Sequence, residues 1–334
     1  PLKGRIMMMK TVVVISHDED AHAQRVLERA SEMGVRGLLW DVSTYPQSAQ
    51  ITLPLYDSRI PSIVIEGQEI PRGVQGFFWR RPNGKYHSSS VSKMDQYMKK
   101  EGGVVVSALG EYFSEANWIS SPWAEVKGGN KPYQLLLAKR FGWKIPLTCI
   151  SNNPEEVRQF IAVLGPRKLT MKPAGTAFMD LSEEKNFSSI ENKVVFTKII
   201  DSEEVLANID MIKNCPVIFQ EAIHKEYDLR ITVVDDVTHV AKITLEGCDD
   251  PDNLDWKNWQ GVRRYSTEIL PREVEQKCVD IVRSLGLRFG CVDLGFSSRE
   301  GYTFFEVNPQ GQWLPSEDRL GYDVSGSIVR ALVR

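Results

Sequence analysis

The chain has 334 residues, of which 42% are hydrophobic and 25% are charged, and its formal net charge at pH 7 is −3. A chain of this length can bury a large core and is expected to divide into two or three domains. The nearly balanced charge argues against nucleic-acid or membrane-surface binding, and because the longest apolar runs have only the length of strands, no transmembrane helix is expected.

The first elements predict an open α/β sheet. Residues 11–15 form an apolar run typical of a buried strand, residues 21–33 a helix that ends at Gly34, and residues 37–41 a second strand. A further strand over residues 73–79 leads into two arginines. The first strand is not followed by the G-x-G-x-x-G pattern of dinucleotide-binding folds, so a dehydrogenase-like domain is disfavoured. Three consecutive methionines at positions 7–9 are expected to mark the natural start of the chain.

The middle of the chain predicts helices and strands in alternation. Residues 122–129 are expected to be a linker, and Asn130 is expected to cap a helix that runs to residue 141. A second helix is expected to end at residue 164. The strands expected after it are residues 168–172, 194–200 and 216–220, with a turn at Gly175 before the second.

The last third of the chain predicts a sheet with one packed helix. Strands are expected over residues 229–234 and 239–244, and residues 274–285 place their apolar side chains on one helix face. The five cysteines show no C-x-x-C spacing, which predicts reduced thiols in a cytoplasmic protein and no zinc site. They are Cys149, Cys215, Cys248, Cys278 and Cys291.

Two apolar runs near the carboxyl end carry a pair of acids. If residues 290–296 and 302–309 form an antiparallel hairpin, Asp293 lies opposite Glu306, and Asn308 follows on the same face. The Cβ atoms of such a pair are roughly 5 Å apart, so the two carboxylates would repel each other. A divalent cation removes this repulsion, and two carboxylates with an amide oxygen suit Mg²⁺. The pattern alone also fits a solvated hairpin face with incidental acids.

Other polar residues are ambiguous when each is taken alone. Lys131 at a helix start and Lys172 in an apolar strand could be solvated lysines, although a strand lysine usually has a partner anion. Gln220 and Glu221 could be an ordinary strand end. Asp228 and Arg230 share a strand face, as surface ion pairs also do.

The order of these residues along the chain resembles the ATP-grasp superfamily. That resemblance implies an ADP-forming ligase of the α/β class that uses ATP and Mg²⁺. It implies that Lys131 and Lys172 hold nucleotide phosphates, that Gln220, Glu221 and Ile223 form the adenine hinge, and that Asp228 meets the ribose or a neighbouring polar group. It further implies that Arg230 contacts the transferred phosphoryl group. The implied metal ligands are Asp293, Glu306 and Asn308.

Several short segments resemble a narrower branch, the graspetide or microviridin-type maturases of ribosomal peptides. The most specific is NPQGQWL at residues 308–314, because metal ligation alone does not require it. The resemblance implies an N-terminal open α/β (pre-ATP-grasp) domain over residues 10–122, a small central α+β domain over residues 123–215, and a C-terminal α+β domain over residues 216–334. The central domain is where the leader of the precursor would dock, with residues 194–211 as the expected platform.

The implied reaction is the closure of macrocycles in a precursor peptide with a leader and a core. ATP would phosphorylate an Asp or Glu side chain, and a hydroxyl or amine of the same peptide would then form an ester or amide. Lys257 departs from the family pattern, which has arginine after the preceding Asp-Trp pair. Arg80 or Arg81, and Arg263 or Arg264, are expected to handle the acidic core, with one member of each pair facing the substrate.

Two other classes of function remain open on the sequence. The chain could be an ATP-grasp ligase that joins an amino acid to a small molecule or to a protein terminus, as glutamate-tail ligases do. It could also be a nucleotide-binding or peptide-binding module without turnover. A homodimer is possible, and ring size and linkage type are left undetermined.

Overall fold

The computed structural model describes residues 9–71, 73–82, 92–175, 178–179, 193–194, 197–248, 256–259 and 261–334. The strands, in chain order, are Thr11–Ile15 (β1), Arg36–Trp40 (β2), Ala49–Thr52 (β3), Ser62–Ile65 (β4), Gln68–Glu69 (β5), Gly76–Trp79 (β6), Asn117–Ile119 (β7), Thr148–Ser151 (β8), Leu169–Pro173 (β9), Phe178–Met179 (β10), Lys193–Val194 (β11), Lys198–Ile200 (β12), Val217–Glu221 (β13), Tyr227–Val234 (β14), Val237–Leu245 (β15), Arg263–Thr267 (β16), Phe289–Ser297 (β17) and Gly301–Asn308 (β18).

The α-helices are Ala21–Glu32 (α1), Lys93–Ser107 (α2), Leu109–Tyr112 (α3), Pro122–Gly128 (α4), Lys131–Arg140 (α5), Pro154–Leu164 (α6), Ser202–Ala207 (α7), Arg272–Ser284 (α8), Leu314–Leu320 (α9) and Val324–Leu332 (α10). Three 3₁₀ turns cover Val42–Thr44, Ile209–Asn214 and Trp256–Asn258.

The N-terminal part contains the predicted parallel sheet. Its strand order is β2-β1-β6-β7, and β1 pairs in parallel with both β2 and β6, so the expected β-α-β opening is confirmed. Asp20 caps α1 by accepting a hydrogen bond from the backbone N of His22, and Gly34 has a positive φ of 70° beyond the helix end. A small antiparallel sheet, β3-β4-β5, lies between β2 and β6 in the sequence.

The expected linker at residues 122–129 was wrong, because α4 occupies most of it. Ser121 caps this helix by accepting from the backbone N of Ala124, and Pro122 stands in the first turn, where no helical N–H bond is lost. The next helix, α5, begins at Lys131 with Asn130 as its cap, as predicted. The following antiparallel sheet has the order β12-β9-β13-β8 and packs on α6.

The C-terminal part contains a five-stranded antiparallel sheet in the order β16-β15-β14-β17-β18. The predicted pairing of the two acids is confirmed, since Asp293 pairs with Glu306 and Val292 with Val307, but nearer the turn the predicted register is wrong by one residue, because Leu294 pairs with Phe304. The register shifts by one residue between Asp293 and Leu294, which places the irregularity directly beside the acids. One face of this sheet is apolar and packs on α5 and α8 in a continuous core. The other face carries the polar side chains of the candidate site.

The loop after β18 ties this sheet to the N-terminal sheet. Trp313 is fully buried, and its backbone N donates to His22 Nε2 at 3.2 Å. Burial lowers the pKa of His22, which keeps that nitrogen an acceptor. The indole Nε1 donates to Ser325 Oγ at 3.1 Å, and the ring packs against Phe289 with centroids 5.3 Å apart. The Trp of the NPQGQWL segment therefore serves packing between distant parts of the chain.

Arg80 secures the same loop from the N-terminal side. Its side chain is fully buried, its Nε donates to Asp20 Oδ2 at 3.3 Å, and its Nη1 donates to the carbonyls of Gln310 and Gly311 at 2.7 and 3.1 Å. The guanidinium lies 4.9 Å from the centre of the Trp313 ring. One arginine of the pair Arg80 and Arg81 was expected to face the substrate. Arg80 is not that one, because its guanidinium contacts Asp20 and the loop carbonyls.

None of the helices in the described ranges combines the length and apolar composition needed to span a bilayer.

Replacing Trp313 with alanine is expected to lower the free energy of unfolding by about 3 kcal/mol or more, because it removes a large buried ring and leaves a cavity between the two sheets. Urea unfolding followed by far-UV circular dichroism measures the change. Trp123→Ala is the matched control, since that ring is 54% exposed and its loss should change stability by less than about 0.5 kcal/mol. Equal effects of the two substitutions would contradict the packing role of Trp313.

Candidate active site

An open cleft, of about 670 Å³ when its solvent-filled mouth is included, lies between the central sheet and the polar face of the C-terminal sheet. It brings together seven of the residues selected from the sequence, which are Lys172, Gln220, Glu221, Ile223, Asp228, Asp293 and Glu306. The lining also includes Lys225, Trp256, Lys257 and Phe305. Lys131, Arg230, Asn308, Arg263 and Arg264 are outside the lining set.

Three charged side chains stand in one row across the sheet. Arg230 on β14 pairs in register with Asp293 on β17, which pairs with Glu306 on β18. Arg230 Nη1 donates to both carboxylate oxygens of Asp293, at 2.8 and 3.0 Å. Its Nη2 donates to the carbonyl of Gln312 at 3.3 Å. Both Nη atoms of Arg230 are therefore engaged by protein groups. The side chain contacts Asp293, which lines the cleft, but does not line the cleft itself.

Lys257 provides a second cation for the same acids. Its Nζ lies 2.7 Å from Asp293 Oδ2 and 2.5 Å from Glu306 Oε1, so one ammonium bridges the two carboxylates. The positive charge of Lys257 lowers the pKa of Glu306 well below its usual range, despite the opposing effect of burial. The expected repulsion between the acids is thus already offset by two basic side chains.

The ammonium of Lys257 shows that the position between the two carboxylates stabilises a cation. Asn308 could add an amide oxygen to this position, because it follows Glu306 on the same strand face. Its Oδ1 accepts from the backbone N of Gln310 at 2.9 Å and retains a second lone pair. In the described ranges, this site included, no group of three or more His, Cys, Asp or Glu side chains is arranged to hold a metal, so the candidate set has only two carboxylates and one amide oxygen. An oxygen set with few carboxylates fits Mg²⁺ that is shared with phosphates.

The two predicted phosphate lysines approach the acids from separate elements. Lys131 begins α5, and its Nζ donates to the carbonyl of Pro173 at 3.4 Å. Lys172 lies on β9 and lines the cleft. The positive charges of Lys172 and Lys131 also lower the pKa of Glu306, although less than the charge of Lys257 does. Both lysines are therefore close enough to the candidate metal ligands for their charges to stabilise the Glu306 carboxylate.

The predicted adenine hinge forms the edge of the cleft at the end of β13. Gln220 Nε2 donates to Thr148 Oγ1 at 2.9 Å. The Glu221 carboxylate accepts from Arg167 Nη1 at 2.5 Å and from the backbone N of Leu147 at 3.4 Å. Since these partners engage the side chain of Glu221, a nucleotide contact at this position would use the main chain.

Lys225 is a cleft residue that the sequence analysis missed. Its Nζ forms an ion pair with the buried carboxylate of Asp228 and lies 5.5 Å from the centre of the Phe305 ring. The lysine lies in the loop before β14, where a charged residue is ordinary, so the sequence contained no signal for its contact with Asp228.

Arg263 and Arg264 point to opposite sides of β16, as adjacent strand residues must. Arg263 Nη2 donates to the carbonyl of Trp259 at 2.7 Å, and its guanidinium lies 5.9 Å from the centre of the ring of Trp256, a cleft residue. Arg264 pairs with Glu246, and its side chain is 70% exposed. Only Arg263 is therefore placed beside the cleft.

The chain is similar in structure, over nearly its whole length, to a macrocyclase and to ATP-grasp ligases that were solved with peptides. The macrocyclase MdnC of Microcystis aeruginosa MRC, bound with precursor peptide MdnA, aligns with a TM-score of 0.82 at 24% identity, covering 97% of this chain and 99% of that one. A Chryseobacterium gregarium RiPP-associated ATP-grasp ligase, in complex with ADP and a leader and core peptide, gives 0.78 at 23% identity over 97% and 96%. ATP-grasp ligase PsnB, complexed with a phosphomimetic variant of the minimal precursor, Mg and ADP, gives 0.77 at 24% identity over 98% and 99%.

These alignments show that the chain has the ATP-grasp ligase fold, and the expected fold class is confirmed. No protein-family model and no curated protein sequence matches the chain at a significant level.

Replacing Lys257 with methionine is expected to destabilise the metal-free protein by roughly 2 kcal/mol, because Glu306 loses its direct partner beside a second acid. Melting curves in EDTA measure this change. Mg²⁺ should then raise the melting temperature of K257M more than that of the wild type, since no ammonium has to be displaced.

Lys213→Met is the control for this measurement, because Lys213 pairs with Asp210 on the surface and its side chain is 61% exposed. Its loss should change stability by at most about 0.5 kcal/mol. A K257M protein that melts like the wild type in EDTA would contradict the bridging role of the ammonium.

Proposed function

We propose that this protein is an ATP-dependent carboxylate ligase that closes side-chain ester or amide rings in a ribosomally made precursor peptide. The observation that carries the proposal is the row Arg230, Asp293 and Glu306 at a cleft lined by Lys172, on the ATP-grasp fold. The similar structures include a macrocyclase and two ATP-grasp ligases that were solved with a precursor peptide or its leader and core. This favours a peptide substrate over a small-molecule one.

ATP and Mg²⁺ are the proposed co-substrate and cofactor. PsnB has been solved with Mg and ADP and with a precursor peptide and AMPPNP. In this chain, Asp293, Glu306 and Asn308 would hold Mg²⁺, which supplies neutralisation of phosphate charge when it is bound. Lys131 and Lys172 would contact the phosphates, and residues 220–223 would receive the adenine. Asp228, already paired with Lys225, would lie near the ribose.

The reaction requires two displacements. In the first, an oxygen of the peptide carboxylate bonds to the γ-phosphorus as the bond from that phosphorus to the β,γ-bridging oxygen breaks, which releases ADP. In the second, a hydroxyl or amine of the same peptide attacks the acyl carbon, and inorganic phosphate leaves with the proton of the nucleophile. The protein contributes little covalent chemistry, and its task is to position groups and balance charge.

The described side chains suit this task in distinct ways. Asp293 is held by Arg230 on one side and Lys257 on the other, which fixes the direction of its carboxylate before any ligand arrives. Lys257 and Lys172 supply positive charge inside the cleft, where an acidic core peptide and phosphates would otherwise repel each other. Displaced from the acids, Lys257 remains near enough to meet the substrate carboxylate. Arg230 would reach the transferred phosphoryl group only if its bond to the Gln312 carbonyl were exchanged.

The leader of the precursor is proposed to dock on the central part of the chain, at the platform expected over residues 194–211. Residues 195–196 of this segment lie outside the described residues. The remainder comprises Val194 at the end of β11, then β12, α7 and the start of the 3₁₀ turn Ile209–Asn214, where Met211 is 68% exposed. An exposed apolar side chain on a helical surface is what an apolar leader residue would contact.

A reducing compartment suits the protein, because all five cysteines are free thiols. The proposed location is therefore the cytoplasm, where ATP and ribosomal precursors are also available.

The direct test is incubation with ATP, Mg²⁺ and the precursor peptide encoded beside the gene. Mass spectrometry is expected to find the loss of one water per ring, together with stoichiometric release of phosphate. Asp293→Asn and Glu306→Gln should each abolish both signals while the protein remains folded, because the oxygen set for Mg²⁺ is incomplete. Normal turnover in either variant would rule out the metal assignment, and an unchanged peptide with the wild-type protein would rule out the proposed function.

The two arginines of β16 are expected to differ in the same assay. Arg263→Ala should lower the rate of ring formation by about tenfold or more, because it removes the cation beside Trp256 at the cleft. Arg264→Ala, which removes a surface pair with Glu246, should change the rate by less than about twofold. Leader affinity, measured separately by fluorescence anisotropy, should be unchanged in both. Equal rates for the two variants would exclude Arg263 from substrate handling.

A further inference from the structure

The strand that carries Glu306 and Asn308 lies at the edge of its sheet. β18 pairs with β17 on one side and is the last strand in the order. The backbone groups on its other side therefore need partners that are not strands. The backbone N of Phe304 donates to the carbonyl of Lys144 at 2.8 Å. At Val307, between the two proposed metal ligands, the partner is a side chain.

That side chain is Gln134 of α5, which is 1% exposed. Its Nε2 donates to the carbonyl of Val307 at 2.7 Å, and the backbone N of Val307 donates to its Oε1 at 2.9 Å. The amide thus makes the two hydrogen bonds that a neighbouring strand residue would make. The second N–H of the amide donates to the carbonyl of Gly128 at 2.5 Å. One side chain therefore joins α4, α5 and the edge strand.

The hydrogen bonds between Gln134 and Val307 affect the directions of the Glu306 and Asn308 side chains as well as stability. The peptide units of Val307 set the directions of its two neighbours, because side chains alternate along a strand. Gln134 also lies three residues after Lys131, so both project from one side of α5. The helix that presents a proposed phosphate lysine is therefore hydrogen-bonded directly to the strand that presents two proposed metal ligands.

We infer that Gln134 is a positioning residue that sets the distance between Lys131 and the pair Glu306 and Asn308, so that one nucleotide can contact the lysine and the metal together. This inference rests on the proposed function for the identity of its ligands. Gln134 touches neither substrate nor metal, and it acts through the backbone of Val307. A clamp with only a structural role would lower stability without changing how strongly Mg²⁺ and ATP favour each other's binding.

The test uses the full chain and two substitutions at this residue. Gln134→Met keeps the volume and leaves the backbone groups of Val307 without partners, whereas Gln134→Asn keeps the amide on a shorter stem and serves if the first variant does not fold. Trp143→Leu is the matched control. Trp143 is buried beside Phe304, with ring centroids 5.9 Å apart, so its loss loosens the same strand away from the proposed ligands.

The readout is the affinity for ATP by calorimetry, measured in Mg²⁺ and again in EDTA. The ratio of the two affinities gives the coupling between metal and nucleotide. We expect Q134M to reduce this coupling by about tenfold, the equivalent of roughly one hydrogen bond, and Q134N to reduce it less. Trp143→Leu should lower the melting temperature while leaving the coupling at the wild-type value.

The outcomes separate this inference from the proposed function. An unchanged coupling in Q134M, or an equal loss in Trp143→Leu, overturns the positioning role. A wild-type protein whose ATP affinity is the same in Mg²⁺ and EDTA overturns both the role and the metal site. If the coupling falls only in the Gln134 variants while the wild type leaves the precursor unchanged, the positioning role stands and the proposed function fails.

Discussion

The structure depends on two facing carboxylates on adjacent strands, the buried Asp293 and the partly buried Glu306. Two like charges at this separation are costly in a sheet that packs on a core, and the cost is largest where water is excluded. Four basic residues from four different elements surround them: Arg230 on β14, Lys257 in the turn before β16, Lys131 on α5 and Lys172 on β9. The cleft is thus the place where positive charges of β9 and α5 act on the acids of the C-terminal sheet.

The segment after β18 extends this constraint to the N-terminal sheet. Three consecutive carbonyls, of residues 310–312, are held by two arginines: Arg80 binds the first two and Arg230 the third. Trp313 then enters a core shared by β1, β6, β17 and α10. A glycine is required at position 311, because a Cβ there would lie 2.7 Å from Arg230 Nη2 and 2.3 Å from Cys291 Sγ. The NPQGQWL segment therefore couples the end of the parallel sheet to the arginine that holds Asp293, which gives a structural reason for the residues that follow the proposed metal ligand Asn308.

The parts of this arrangement that could be predicted from the sequence are those with local spacing. Counting outwards from a turn centred between residues 299 and 300 predicts that Asp293 faces Glu306, and the strands that carry Lys172 and Arg230 show clear apolar patterns. The observed turn is centred on Arg299, and the predicted pair forms because the register shifts by one residue beside Asp293. The bridging position of Lys257, the pair of Lys225 with Asp228, and the contact of Gln134 with Val307 could not be predicted, because each depends on how separate elements pack. The helix at residues 122–128 was mistaken for a linker for a different reason, since Ser-Pro marks both loop ends and helix starts.

The charge balance of the cleft favours the binding of metal and nucleotide together over the binding of either alone. In the structure, the two acids are matched by Arg230 and Lys257, so a divalent cation added alone would leave an excess of positive charge. ATP added alone would bring several negative charges toward the same acids. Metal and nucleotide together cancel most of each other's charge, so each should favour the binding of the other, and by linkage the effect is equal in both directions. The displaced ammonium of Lys257 would then remain in the cleft, where it could meet the carboxylate of the proposed peptide substrate.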